Sequence, residues 1–233
     1  MASFFRASRK WLLSPFRLSW NFTHHLRVLE FPTQMQTYSS VPKVRSPFDS
    51  NIIRILRNEV QYQTEYAPPH EPPASFKFFS VEDCPGEVYV RLRRNFGEKE
   101  EIKVEATMFD GCVSVPKTGD YADKEDIHFH ISLLIDISKG EGTDGLGFLC
   151  SAWPDYLEIM KVYNFRESKL QPKAYMGPNI RTLDPKLQKA LHEYLEARGV
   201  NDELAVFLHE YMVNKDQTEL LKWLENVKSF VEL

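Results

Sequence analysis

Three stretches of two-residue alternation limit what this chain can fold into. Val88, Val90 and Leu92 alternate with Glu87, Tyr89, Arg91 and Arg93. Ile102, Val104, Ala106 and Met108 alternate with Lys103, Glu105 and Thr107. Ile127, Phe129, Ile131, Leu133, Ile135 and Ile137 alternate with His128, His130, Ser132, Asp136 and Ser138. A period of two places one set of side chains in a core and the other in water, the habit of an antiparallel sheet. Further strands are expected at Phe76–Val81, Leu146–Ala152 and Leu157–Asn164, with a weaker one over Asn179–Leu183. Turns fall at "CPGE", "FGEKE", "KTGDYADKED" and "GEGTDG". About seven hairpin-linked strands result, with helices before and after them. No strand–helix–strand alternation runs through the chain, so the pattern predicts α+β and not a doubly wound sheet.

The flanking helices are marked at their ends. Ser46 can cap, Pro47 takes the first helical position and Asp49 lies in the first turn. Ile52, Ile53, Leu56 and Val60 are read as the inward face, and "APPHEPPA" ends the helix. Near the C-terminus, Asp184 and Pro185 open a second helix with Leu187, Ala190, Leu191, Tyr194 and Leu195 inward. Gly199 supplies a left-handed stop. Asn201 or Asp202 caps a third helix bearing Leu204, Phe207, Leu208 and Tyr211. Asp216 and Glu219 resemble a cap for a separate final segment with Leu220, Leu221, Trp223, Leu224, Val227 and Phe230. These apolar faces are what one side of the sheet needs to cover it.

Charge is distributed unevenly. Residues 1–46 carry seven Lys/Arg against one acid, Glu30; the remaining residues carry 22 basic and 32 acidic side chains, a net charge of −10. The basic, serine-containing, acid-poor opening "MASFFRASRKWLLSPFRLSWNFTHHLRVLE" has the composition of an organelle transit peptide. We read residues 1–38 as the leader, with cleavage after Tyr38, although Gln36 stands where an Arg is usual, and residues 39–233 as one domain. Mitochondrial and chloroplast addresses overlap in composition, so a chloroplast is the alternative destination. No apolar run approaches the length of a membrane helix. Cys84, Cys112 and Cys150 share no short spacing and read as free thiols, not a disulfide frame.

Motifs for chemistry are incomplete. His128-x-His130 puts two imidazoles on one strand face, without a third ligand to complete a metal site. Gly140-x-Gly142-x-x-Gly145 matches a dinucleotide fingerprint, but a strand follows it where a helix is required. Cys150-Ser151-Ala152-Trp153 lacks the glycine elbow of hydrolase serines. No cofactor is expected.

The order of helix, antiparallel block and "LQKALHEYLEARGVNDELAVFLHEYMVNKDQTELLKWLENVKSFVEL" resembles the mitochondrial glycoprotein family over roughly residues 47–233. The resemblance implies a strongly twisted antiparallel sheet with one N-terminal helix and C-terminal helices packed on one side. It implies an acidic mitochondrial matrix protein, assembled as a homotrimer, that binds other proteins in support of respiratory function or organellar translation, without enzyme activity. Basic matrix proteins, ribosomal or respiratory-assembly factors among them, are the expected partners; nucleic acid, which repels an acidic surface, is not. The candidate acidic surface comprises Glu98, Glu100, Glu101, Asp120, Asp123, Glu125, Asp126, Glu193, Glu196, Asp202, Glu203 and Glu210. The acidic runs "EKEE" and "DYADKED" are interrupted by lysine, unlike the long acidic loops of several relatives. The alternative is a small-ligand binder or hydrolase with a pocket between sheet and helices.

Overall fold

The computed structural model describes residues 45–116, 125–140, 144–166 and 175–233. The leader, Asp120, Asp123 and Gly142 lie outside the described residues. Helix α1 spans Pro47–Tyr66. Seven strands follow: β1 Ser75–Phe76, β2 Phe79–Asp83, β3 Tyr89–Phe96, β4 Glu100–Pro116, β5 Glu125–Ser138, β6 Asp144–Ala152 and β7 Leu157–Arg166. Two helices close the chain, α2 over Pro185–Glu196 and α3 over Asp202–Glu232. The strands form one antiparallel meander in sequence order, the α+β arrangement that the alternation predicts.

The alternation becomes one buried face. Val90, Leu92, Ile102, Val104, Ala106, Ile131, Leu133, Ile135, Phe148, Ala152 and Ile159 are all fully buried. Leu195, Val200, Leu204, Ala205, Leu208, Tyr211 and Met212 join them in the same core from α2, α3 and the turn between. The turn is a Schellman stop: Gly199 has φ +79°, and the Val200 amide donates to the Leu195 carbonyl at 3.0 Å. A side chain at Gly199 would press on Arg94 and Phe79, so glycine is required there both by conformation and by space.

Helix α1 starts with the capping box its sequence promises, Ser46 and Asp49 exchanging side-chain bonds with each other's amides. It packs on the C-terminal half of α3 and runs antiparallel to it, with Arg57 on Glu232 at 2.7 Å and Gln217 donating to Gln63 at 3.0 Å. The proline-rich connector after α1 is held by a buried amide. Asn214 accepts from the His70 amide and donates to the His70 carbonyl, both at 2.9 Å. One residue on, the Lys215 ammonium is buried against Asp83 at 2.9 Å and the Cys84 carbonyl at 3.0 Å. Asp83 also accepts from the Tyr211 hydroxyl.

Several expectations change. Phe76–Val81 is two strands, because Lys77 turns with φ 50°. Asn179–Leu183 is a 3₁₀ turn, its capping Asn179 side chain accepting from the Arg181 amide. The last helix is continuous over Asp202–Glu232. Neither Gly nor Pro interrupts that span, and extending a helix costs less than starting a new one, so Asp216 does not act as a cap. Strand β4 runs on to Pro116 through two irregularities, between Ala106 and Phe109 and between Phe109 and Gly111. Beyond them it pairs only with the first half of β5, where Ile127 and Phe129 are therefore exposed and not buried. Val88, Leu187, Ala190, Trp223 and Phe230 are likewise exposed.

Removing the Asn214 amide tests the clamp on the connector. Asn214→Ala is expected to lower unfolding stability by about 1–3 kcal/mol through two lost hydrogen bonds, measured by urea denaturation, with the helical signal of the folded state unchanged.

Candidate protein-binding surface

The outward face of the sheet is charged but nearly neutral. Arg91 bonds Glu105 at 3.0 Å, Arg93 bonds Glu82 at 3.2 Å and Glu101 at 3.1 Å, and Lys103 bonds Glu105 at 2.7 Å. The bond to Lys103 and those to Arg91 hold the Glu105 carboxyl below its usual range despite partial burial. Asp136 on the same face is pushed up by burial, which Lys103 only partly opposes. A lattice of alternating signs offers a basic partner little net attraction.

The acid surplus lies elsewhere. Helix α3 carries seven acids against three lysines, and its first nine residues hold Asp202, Glu203 and Glu210 with no Lys or Arg. Two of these acids also have local roles: Asp202 accepts from the Leu157 amide at 2.8 Å, and Glu203 pairs with Lys77. Both sit at the helix N-terminus, where negative charge is favourable. Glu98, Glu196 and Glu210 are exposed. Glu193 is exposed beside Lys189 at 3.6 Å. Asp126 is exposed, and Glu125 begins β5.

Glu100 differs from the rest of the set. It is largely buried and meets Arg198 at 2.8 Å and Lys139 at 3.2 Å. Arg198 in turn lies 3.4 Å from the Tyr194 ring centroid and donates to the Tyr194 carbonyl at 2.9 Å. The pair ties the β3–β4 turn to the end of α2. It thereby brings that turn, which carries the exposed Glu98, to the end of α2, which carries Glu193 and Glu196.

A feature absent from the sequence reading lies on α1. Phe48, Ile52, Ile55, Tyr62 and Tyr66 are exposed, Phe48 by 80% and Tyr66 by 74%. At 100° per residue these five fall within about 80° of one another. Ile53 and Leu56, the buried pair, are turned away toward α3. Ile52 therefore belongs to the outer stripe and not to the inward face. The spacing of Phe48, Ile52, Ile55 and Tyr62 is a second helical stripe readable in the sequence, masked by the stronger expectation of a single buried face.

The remaining motifs resolve locally. His130 contacts Asp110 through Nδ1 at 2.8 Å and Ser151 through Nε2 at 2.9 Å. No group of three or more metal-ligating side chains occurs among the described residues. A Cβ at Gly145 would collide with the Phe165 ring, so this glycine makes room for a cross-strand aromatic. Cys150 is buried, and its thiol is pushed well above the usual range. Between sheet and helices lies packed apolar core. A shallow cavity of about 270 Å³ sits instead at the β5–β6 turn, lined by Ile137, Lys139, Asp144, Leu146, Asn164 and Tyr194. No described helix is long and apolar enough to cross a membrane.

A family model described as mitochondrial glycoprotein matches residues 56–231. The chain is 33% identical over 211 residues to an uncharacterized mitochondrial protein of Arabidopsis thaliana, covering 88% of this chain and 81% of that one. It is 26% identical over 216 residues to the mitochondrial acidic protein mam33 of Schizosaccharomyces pombe, covering 78% of each. The fold resembles the crystal structure of the Trypanosoma brucei p22 protein, with a TM-score of 0.65 and 22% identity over 80% of this chain and 100% of that one. It also resembles a Leishmania major protein described as a sequence homologue of human p32, with a TM-score of 0.62 and 20% identity over 79% and 99% of the two chains.

The two kinds of acid separate by mutation. Glu100→Gln leaves the Arg198 guanidinium largely buried without its carboxylate, and a loss of about 3 kcal/mol in unfolding stability is expected. Glu98→Gln, on the open turn, is expected to change stability by no more than about 0.5 kcal/mol. Denaturant titration of the two variants side by side checks the difference.

Proposed function

The chain belongs to the mitochondrial glycoprotein family, and from that premise we propose that it is an acidic protein of the mitochondrial matrix that assembles as a homotrimer and acts as an adaptor or chaperone-like scaffold for basic partner proteins. Its location in mitochondria follows from the family and from the relatives named mitochondrial. Residues 1–38 serve as the leader that takes it there, and the domain that follows does the binding. The role supports respiratory function or organellar translation, with ribosomal or respiratory-assembly proteins as clients, and asks for no chemistry of its own.

The observation that carries this reading is where the surplus charge sits. The sheet's outward acids are matched by Arg91, Arg93 and Lys103, whereas α3 carries a net −4 and opens with three acids and no Lys or Arg. Screening reduces the reach of a charge to about 8 Å at physiological salt, so only carboxylates grouped on one surface act together on a partner. The Glu100–Arg198 bond joins the β3–β4 turn to the end of α2, and repetition by symmetry would present the carboxylates there several times over. Such a surface accelerates encounter with basic segments and repels phosphate backbones.

The α1 stripe supports assembly. Five exposed apolar and aromatic side chains in one row form a patch of the kind that marks a protein contact. A copy of the same chain is the occupant expected from a closed symmetric assembly.

Light scattering on the mature form is expected to give the mass of three copies. Ile55→Glu combined with Tyr62→Glu is expected to reduce it to one copy with the circular dichroism retained. Capture of basic matrix proteins should weaken as salt rises, and should weaken further in the single-copy variant. A wild-type mass of one copy would remove the assembly, and capture indifferent to salt would remove the electrostatic basis.

A further inference from the structure

We propose that Ser151 is an activated nucleophile: Asp110, His130 and Ser151 form a hydrogen-bonded relay able to accept a small acyl group on the serine oxygen. This goes beyond the adaptor role and does not depend on it.

The relay is built by the sheet. In β4, Phe109 pairs with Ile131 and Gly111 pairs with His130, so Asp110 is the extra residue of a bulge. A bulge re-aims a side chain, and here Oδ1 of Asp110 comes to 2.8 Å from His130 Nδ1. The other carboxylate oxygen accepts from the Thr107 hydroxyl at 3.0 Å, and that hydroxyl accepts from the Ser132 amide at 3.1 Å. Gly111 leaves room for the imidazole, since a Cβ there would stand 3.3 Å from Nδ1. On the far side of the ring, Nε2 lies 2.9 Å from Ser151 Oγ. Ser151 is brought there by the β5–β6 register, which pairs it with Ser132 and pairs Ile131 with Ala152.

Both distances fall in the range of a nucleophile, its base and the group that orients the base. The carboxylate on Nδ1 selects the tautomer whose free lone pair is on Nε2, facing the serine hydroxyl. The order carboxylate, Nδ1, Nε2, hydroxyl is that of serine hydrolase triads. A second observation points to a ligand. The Trp153 indole N–H is buried and has no hydrogen-bond partner among the described residues. Its ring lies 5.1 Å from the His130 ring. A buried donor without an acceptor costs free energy, and the oxygen of a bound acyl group would satisfy it. Tyr156, itself exposed, stacks on Trp153. On the α3 side, His209 donates its Nε2 proton to the Ala152 carbonyl at 3.1 Å. Burial keeps His209 below its usual range, and His130 adds to that lowering. Ser151 is only 7% exposed, so the acyl group must be small and activated, a short-chain ester or thioester.

In the reaction, Ser151 Oγ attacks the carbonyl carbon while its proton passes to His130 Nε2. The bond to the leaving alcohol or thiol breaks, and that group takes the proton from Nε2. Water then attacks the Ser151 ester, again through Nε2, which releases the carboxylic acid and restores the serine. Asp110 is a positioning residue throughout.

The test uses the full chain with a fluorophosphonate probe, which joins phosphorus to Oγ with loss of fluoride, and separately with p-nitrophenyl acetate. One adduct on Ser151, located by peptide mass spectrometry, is expected in the folded protein and not in urea. Ser151→Ala should abolish it. His130→Gln should slow it at least about 100-fold. Asp110→Asn should slow it comparably, with partial recovery in Asp110→Glu, a recovery that a merely structural role would not produce. Wild-type protein that reacts no faster in its folded state than in urea would overturn the proposal, as would folded His130→Gln protein that labels at the wild-type rate.

Discussion

Burial of one face of the sheet under α2 and α3 is the interaction from which the rest of the structure follows. An antiparallel meander with a fully apolar face cannot stay folded in water unless that face is covered. Leu204, Ala205, Leu208 and Met212 cover it from one helix, and all are fully buried. The reversal at Gly199 decides where that helix starts, and α3 then extends roughly 46 Å at 1.5 Å per residue. This is longer than the sheet requires. The C-terminal half is left to pair with α1, whose stability, like that of most helices in proteins, comes from packing its apolar face. Sheet, lid and helical pair thus form a sequence of dependencies that begins with period-two alternation.

The same arrangement partitions charge. On the outward face of the sheet, side chains from neighbouring strands stand directly opposite one another, so like charges there are penalised and opposite charges favoured. Arg91 stands directly between Glu82 and Glu105, whereas Arg93, opposite Lys103, reaches diagonally to Glu82 and Glu101. A helix facing water has no such constraint, and α3 keeps a surplus of carboxylates. A net charge of −10 over most of the chain is therefore not spread evenly over the surface. Glu100 marks the boundary between the two regimes, an acid by composition that works as a buried strut for Arg198.

Alternation and capping signals made most of the fold legible in the sequence. The strands at Val90–Leu92, Ile102–Ala106 and Ile131–Ile137 are where the pattern places them, as are Ser46, Asp184 and Gly199 at helix ends. The differences share a physical origin. Val88, Ile127 and Phe129 follow the alternation, yet burial depends on whether a neighbour lies over that point, which periodicity does not encode. Asp216 satisfies a local cap pattern, yet the packing of Leu208, Met212 and Leu224 along one continuous helix prevails over it. Ile52 fits two helical stripes at once, and the choice between them rests on where α3 lies.

The Asp110–His130–Ser151 cluster shows why a site can escape a motif search altogether. Its members come from three strands, spaced 20 and 21 residues apart. The Ser–His contact needs β5 and β6 in one particular register. The His–Asp contact needs one residue too many in β4. A strand without that bulge would place residue 110 directly in the ladder, with its side chain fixed by the alternation and unable to swing onto the ring. Gly111 is the one local trace in the sequence. In a strand otherwise rich in branched residues, a glycine beside an acid, two positions after a first irregularity, signals a bend next to something that requires space. The required space is that of the imidazole ring, and the bend is what turns the Asp110 carboxylate onto it.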